Sequence, residues 1–294
     1  MNNHQQKILM AARGAAISVS VYLILSILKL VFAQIFHSSS LQADGLNNLS
    51  DIIASLSVFI GINIAKKPAD NNHHFGHSKF ETIASFITSV LMFYIGIDVL
   101  STSFQRLINQ DFPVTDKKAV YVSIFSMFVL WFTSQYIATL SKKTNSLGLK
   151  ATATDMKNDF LISFGTLLGT IFAQFGLPIM DTILSLIVAV IIIISGYEIL
   201  KESTFVLSDG FDLEEIEKYR ATILKHPKVH EVSNLRARLN GNKIYVDVTI
   251  KIDGNLSVIE SHHITEEIET ILSYNFQVED CDVHVEPYFE PKKA

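Results

Sequence analysis

The chain has 294 residues, 49% of them hydrophobic and 18% charged, with a formal net charge of −5 and a mean hydropathy of +0.31. That is a membrane composition, and an acidic balance without a basic stripe gives no support for nucleic-acid binding. The single cysteine, Cys281, excludes an internal disulfide and a cysteine-based zinc site, and it fits a reducing compartment.

Apolar runs near residues 13–35, 41–65, 81–104, 118–140, 152–175 and 179–200 are each long enough to cross a bilayer core of about 30 Å. The polar start Met1–Met10 leads into a first run too long for a signal segment, so this run is expected to stay as a span. Lys7 and Arg13 precede it, whereas His37-Ser-Ser-Ser40 after it carries no Lys or Arg. Lys66, Lys67 and Lys79 fall in the second connection, Lys142, Lys143 and Lys150 in the fourth, and none in the fifth around Phe175-Gly-Leu-Pro178. Arg106, Lys117 and Lys118 in the third are diluted by Asp111 and Asp116. The alternation places both termini in the cytoplasm.

The first span holds little that is polar apart from serines, Lys29 and Gln34, and reads as packing scaffold. The second holds Asn47-Asn-Leu-Ser-Asp51, and the fifth holds Asp155-Met-Lys-Asn-Asp159. Side chains four apart share a helical face, about one turn from each other, so each pair reaches one point. A buried charge in lipid costs at least roughly 2.5–3.5 kcal/mol and demands a partner or a task. Four oxygen-bearing side chains from two helices suggest a cation site. Asp44 reads as an acid at the outer mouth, with a ligand role as the alternative, and Asp181 as an interfacial or capping acid rather than a ligand. Lys157 and Asn158 point elsewhere on the fifth span, and Gly165 with Gly169 forms a close-packing pair.

Between the second and third spans, Pro68-Ala-Asp-Asn-Asn-His-His-Phe-Gly-His77 is dense in metal-ligand types. Asp70, His73 and His77 suit a transition metal through two imidazoles and a carboxylate, beside the plain alternative of a solvated loop. His74 is the weakest candidate.

After Leu200 the composition changes to short alternating segments rich in Glu, Lys and His. This divides the chain into a transport domain at 1–204, a linker at 205–212 and a soluble domain at 213–294. A helix over Leu213–Lys225 stops at Pro227. Val229–Leu239 and Lys243–Ile252 flank Asn240-Gly-Asn, a hairpin signal. Ser257-Val-Ile-Glu260 has the spacing of a capping box and starts a helix to about Tyr274, and Asp280–Glu286 makes a third strand. The order αββαβ gives one small sheet covered by two helices. His262, His263, His284 and Glu286 are candidate ligands, with plain surface residues as the alternative.

Over essentially its whole length the chain resembles the cation diffusion facilitators. Six spans, polar pairs on the second and fifth, the loop ending at His77 and the αββαβ domain all fall where that family has them. The resemblance implies a transport site for a divalent metal on Asn47, Asp51, Asp155 and Asp159. Zinc-type members usually have His in this quartet; this chain has none, and it is most similar to the bacterial manganese-efflux branch. The resemblance also implies a loop site on Asp70, His73 and His77. A cytoplasmic site is implied on His262, His284 and Glu286, with two further ligand positions taken by Ser233 and Thr249. A homodimer is implied, with Lys79 and Asp209 as an interlocking charge pair.

The expectation is a transporter, not an enzyme: a proton-coupled exporter of Mn2+ working by alternating access, with no resident cofactor and with protons, lipid and a second copy as partners. Three crowded carboxylates in low dielectric cannot all stay charged without a metal, which couples cargo to protons. An exporter of Zn2+, Fe2+ or Co2+ is the alternative. An intramembrane aspartyl protease needs a Gly-x-Gly-Asp setting that is absent, and a non-transporting sensor would rely on the domain where Ser233 and Thr249 stand in ligand positions.

Overall fold

The computed structural model describes residues 3–36, 39–110, 117–175, 177 and 179–289. His37, Asp111, Asp116 and Pro178 lie outside the described residues, as do the side chains of Asp44, Asn47, Lys117, Lys118 and Asp181 and the surroundings of Gly169. The elements are α1 (Asn3–Phe36), α2 (Ser39–Ala65), α3 (Lys79–Asn109), α4 (Lys117–Thr144), α5 (Leu147–Gln174), α6 (Ile179–Leu207), α7 (Leu213–Ile223), β1 (Glu231–Asn240), β2 (Lys243–Asp253), α8 (Val258–Phe276) and β3 (Val278–Tyr288). Two compact units result, Met1–Thr204 and Phe205–Ala294.

In the first unit, α2 and α5 touch each other, and each also packs on α1, α3 and α4. The helix carrying Asp51 and the helix carrying Asp155 and Asp159 therefore sit together at the centre. Among the described residues four helices are long and apolar enough to cross a membrane: Gln6–Ile35, Lys79–Asn109, Val120–Thr144 and Thr182–Leu207. Helix α2 contributes only the shorter apolar stretch Asp51–Ala65. The two helices outside this set, α2 and α5, are those interrupted by the acids and amides. The helices outrun the apolar runs, and α6 continues to Leu207, so Phe205–Leu207 is helix where linker was expected.

Among the described residues, a close helix crossing falls at Gly61. A Cβ on Gly165 would meet Val188 of α6 at 3.4 Å, an ordinary contact, whereas one on Gly61 would lie 2.7 Å from the Ala84 Cβ and 2.8 Å from the Phe80 carbonyl oxygen. At Gly61, α2 and α3 thus approach too closely for any side chain, since real Cβ contacts are longer. On the α4 and α5 side, Trp131 meets Phe160 with ring centroids 4.8 Å apart.

The start of α5 is held from two directions. The Ser146 hydroxyl accepts the Leu149 N–H at 3.1 Å, as a capping serine does, and the Glu81 carboxylate of α3 accepts from the Ser146 hydroxyl and, at 3.3 Å, from the Gly148 N–H. A carboxylate at a helix N-terminus also meets the positive end of its dipole. This fixes the helix about two turns before Asp155.

In the second unit, β1 and β2 are antiparallel through a two-residue turn whose Gly241 has φ +64°, a left-handed value that favours glycine. Strand β3 runs parallel to β2 in the order β1-β2-β3, and a parallel pair needs a crossover, supplied by α8. Asp212 caps α7 by accepting the Glu214 N–H at 2.7 Å. The predicted capping box is present at Ser257 and Glu260. Val246, Val248, Ile250 and Ile252 of β2 alternate into a core completed by Tyr219 and Ile223 of α7 and Ile264, Ile268 and Leu272 of α8.

Candidate metal centre

Asp51 of α2 and Asp155 with Asp159 of α5 bring one carboxylate oxygen each within 4.8 Å of one another. Asp51 is 1% and Asp155 5% exposed, and Asp159 is half-buried. The i to i+4 spacing stacks the α5 pair, and the contact between α2 and α5 supplies the third acid. Hard carboxylate oxygens converging from two helices have the donor chemistry of Mg2+, Ca2+ or Mn2+ ligation. Asn47 lies one turn before Asp51 in α2, with its side chain outside the described residues. Asn158 is buried, and neither of its side-chain polar atoms has a hydrogen-bond partner among the described residues.

The first helix is more than scaffold. The Tyr22 hydroxyl of α1 lies 2.5 Å from Asp159 Oδ2 and 3.4 Å from Asp155 Oδ2, and the side chain is fully buried. Two turns further along, the buried Lys29 donates to Asn48 Oδ1 at 3.4 Å. A tyrosine inside an apolar run reads as packing, so Tyr22 escaped notice; Lys29 carried the one available signal, a charge at mid-helix.

The loop forms a second group. Asp70, His73 and His77 also bring ligand atoms within 4.8 Å of one another. Asp70 Oδ1 accepts the backbone N–H of Asn72 at 2.9 Å and of His73 at 2.7 Å. These bonds hold its carboxyl below the usual carboxylate range. His77 Nδ1 lies 3.1 Å from the Pro68 carbonyl, an orienting contact that leaves Nε2 toward Asp70 Oδ2 at 3.4 Å. His74 Nε2 turns instead to the Asn71 carbonyl at 3.0 Å.

Among the described residues His262, His284 and Glu286 do not form a third group of this kind. His262 lies on α8, 3.4 Å from Glu266, and His263 is 3.5 Å from the same carboxylate. His284 and Glu286 alternate with the core residues Val283 and Val285 on β3 and so face away from α8. There Ser233 lies 3.5 Å from Glu286 and donates to the Thr249 carbonyl at 3.4 Å. Burial and neighbouring acids push the Cys281 thiol up to about 12, which makes it a poor metal ligand. Lys79 starts α3, and Asp209 stands just after α6 in a left-handed conformation, φ +59°.

A unit of long apolar helices with oxygen donors gathered at its centre, joined to a small αββαβ domain, is the build of a membrane cation transporter. Residues 15–208 match the cation efflux transmembrane domain and residues 211–288 the cation efflux protein cytoplasmic domain. The chain therefore belongs to the cation efflux family, the cation diffusion facilitators, and is a metal cation efflux transporter, not an enzyme. It is 37% identical to the manganese efflux system protein MneS of Bacillus subtilis over 274 residues, covering 93% of this chain and 94% of that one. It is 30% identical to the manganese efflux system protein MneP of the same organism, with 94% and 96% covered. The solved zinc form of CzrB is 29% identical, covers 29% of this chain and 98% of that one, and superposes with a TM-score of 0.27.

Proposed function

We propose that this protein exports Mn2+ in exchange for protons, by alternating access in a homodimer of the cell membrane with both termini in the cytoplasm. The observation that supports this reading best is the oxygen-only cluster of Asp51, Asp155 and Asp159, three acids from two central helices. Asn47, one turn before Asp51, completes the transport site with a neutral oxygen that does not titrate. Manganese takes carboxylate, amide and water oxygens readily, whereas zinc gains from imidazole, which this set lacks. The two relatives named for manganese efflux point the same way.

Like charges crowded in a low-dielectric site are relieved either by a divalent cation or by protons. Exchange of one for the other at a single place couples metal leaving to protons returning. Asp70, His73 and His77 form a loop site that tunes transport, and Lys79 pairs with Asp209 as an interlock.

Purified protein in proteoliposomes, with a proton gradient and a panel of Mn2+, Fe2+, Co2+, Zn2+ and Cd2+, tests the reading. Mn2+ is expected to give the highest kcat/KM and to move protons in the opposite direction. Faster Zn2+ than Mn2+ flux, or metal flux with no proton counterflow, contradicts it.

A further inference from the structure

The loop group and the face of β3 that bears His284 and Glu286 repeat positions already assigned. The hydroxyl of Tyr22 does not: it comes from a third helix and lies among the oxygens of the acid cluster. We propose that Tyr22 is a specificity-determining residue of the transport site, its phenol oxygen serving as a neutral fifth donor beside Asn47, Asp51, Asp155 and Asp159. The proposal rests on the four-residue site described above.

Three observations carry it. The hydroxyl is 2.5 Å from Asp159 Oδ2 and 3.4 Å from Asp155 Oδ2. Oxygens bound octahedrally to one cation at about 2.0–2.6 Å stand about 2.8–3.7 Å apart along the edges of its shell, which takes in the 3.4 Å separation from Asp155, while the 2.5 Å separation from Asp159 is that of a hydrogen bond. The ring is 0% exposed and belongs to the apolar cluster that includes Leu25, Ala153 and Met156. A side chain wedged in a packed core has few alternative rotamers, so the hydroxyl is held at the acids. Its donor is an uncharged oxygen, which enlarges the shell without adding to the charge already placed there by three carboxylates.

The consequence is selectivity by coordination number. Zinc is satisfied by four ligands in a tetrahedron, whereas manganese favours six oxygens in an octahedron. A fifth oxygen fixed by α1 serves the second ion and gives the first nothing.

Tyr22→Phe removes the oxygen and keeps the ring. In proteoliposomes the KM for Mn2+ should rise about ten-fold, the factor associated with one hydrogen bond to a charged group. The KM for Zn2+ and the Mn2+ kcat should change little, so the Mn2+ to Zn2+ ratio of kcat/KM falls about ten-fold. Equal losses for both metals, or an unchanged ratio, overturn the proposal and leave Tyr22 as packing. If the phenylalanine variant does not reach the membrane, Tyr22→His asks the same question from the zinc side. A nitrogen donor should raise Zn2+ flux relative to Mn2+, and an unchanged ratio again overturns the proposal. Asp155→Ala is measured beside both. If it keeps flux, the four-residue site itself is wrong; if it loses flux while Tyr22→Phe matches the unsubstituted protein, only the role of Tyr22 falls.

Discussion

Replacing Asp155 by Asn keeps the shape of the side chain and one oxygen but removes a full charge from a cluster whose ligand atoms lie within 4.8 Å of one another. At that largest separation, a divalent cation and one carboxylate attract by roughly 7 kcal/mol with an effective dielectric constant of about 20. Much of this is offset, because the remaining two acids no longer repel a third and the site needs fewer protons when the metal leaves. If only about a third survives, roughly 2.3 kcal/mol, the KM for Mn2+ rises about fifty-fold. The assay is initial-rate Mn2+ flux in proteoliposomes, normalised to protein in the membrane. A KM within three-fold of the unsubstituted protein, at equal protein amount, would refute the placement of the cation between α2 and α5.

The loop group predicts a milder result: Asp70→Ala should slow transport several-fold without abolishing it, and complete loss of flux would contradict a tuning role. Because backbone N–H groups hold the Asp70 carboxyl below its ordinary range, its contribution to loop order is present above that range and is lost as pH falls through the depressed value. Limited proteolysis of the loop against pH reads this, and a cleavage rate flat across acid pH speaks against it. Charge reversal at Lys79 or Asp209 alone should impair transport or dimerisation, and the double reversal should restore part of the loss, whereas strict additivity argues against a pair. Glu81→Gln removes the charged acceptor at the start of α5 and should destabilise the helical unit by about 1–3 kcal/mol. An unchanged melting temperature in detergent would remove Glu81 as an anchor of that helix.

Much of the site was legible because it is written in local periodicity. Asp155 and Asp159 are four residues apart, so a helix alone stacks them, and the positions of Asp70, His73 and His77 need only one tight loop to meet. The hairpin at Gly241 and the capping box at Ser257 were legible for the same reason, since turn and cap chemistry acts within a few residues. The alternation over Asp280–Glu286 marks strand β3 but not its parallel pairing with β2, since register across a crossover depends on how α8 packs.

What the sequence by itself determined is therefore which residues carry charge and oxygen, and which of them share a helix face. The resemblance already joined Asp51 to the α5 pair, whereas only the tertiary structure decided that Tyr22 reaches the same oxygens, that Lys29 meets Asn48 and that Glu81 pins the start of α5. The tertiary structure also turned His284 and Glu286 away from the helix that bears His262. The physical reason is that long-range contacts arise from helix crossings and strand pairing. These are set by packing at places such as Gly61 against Ala84, where no periodicity along the chain records the partner.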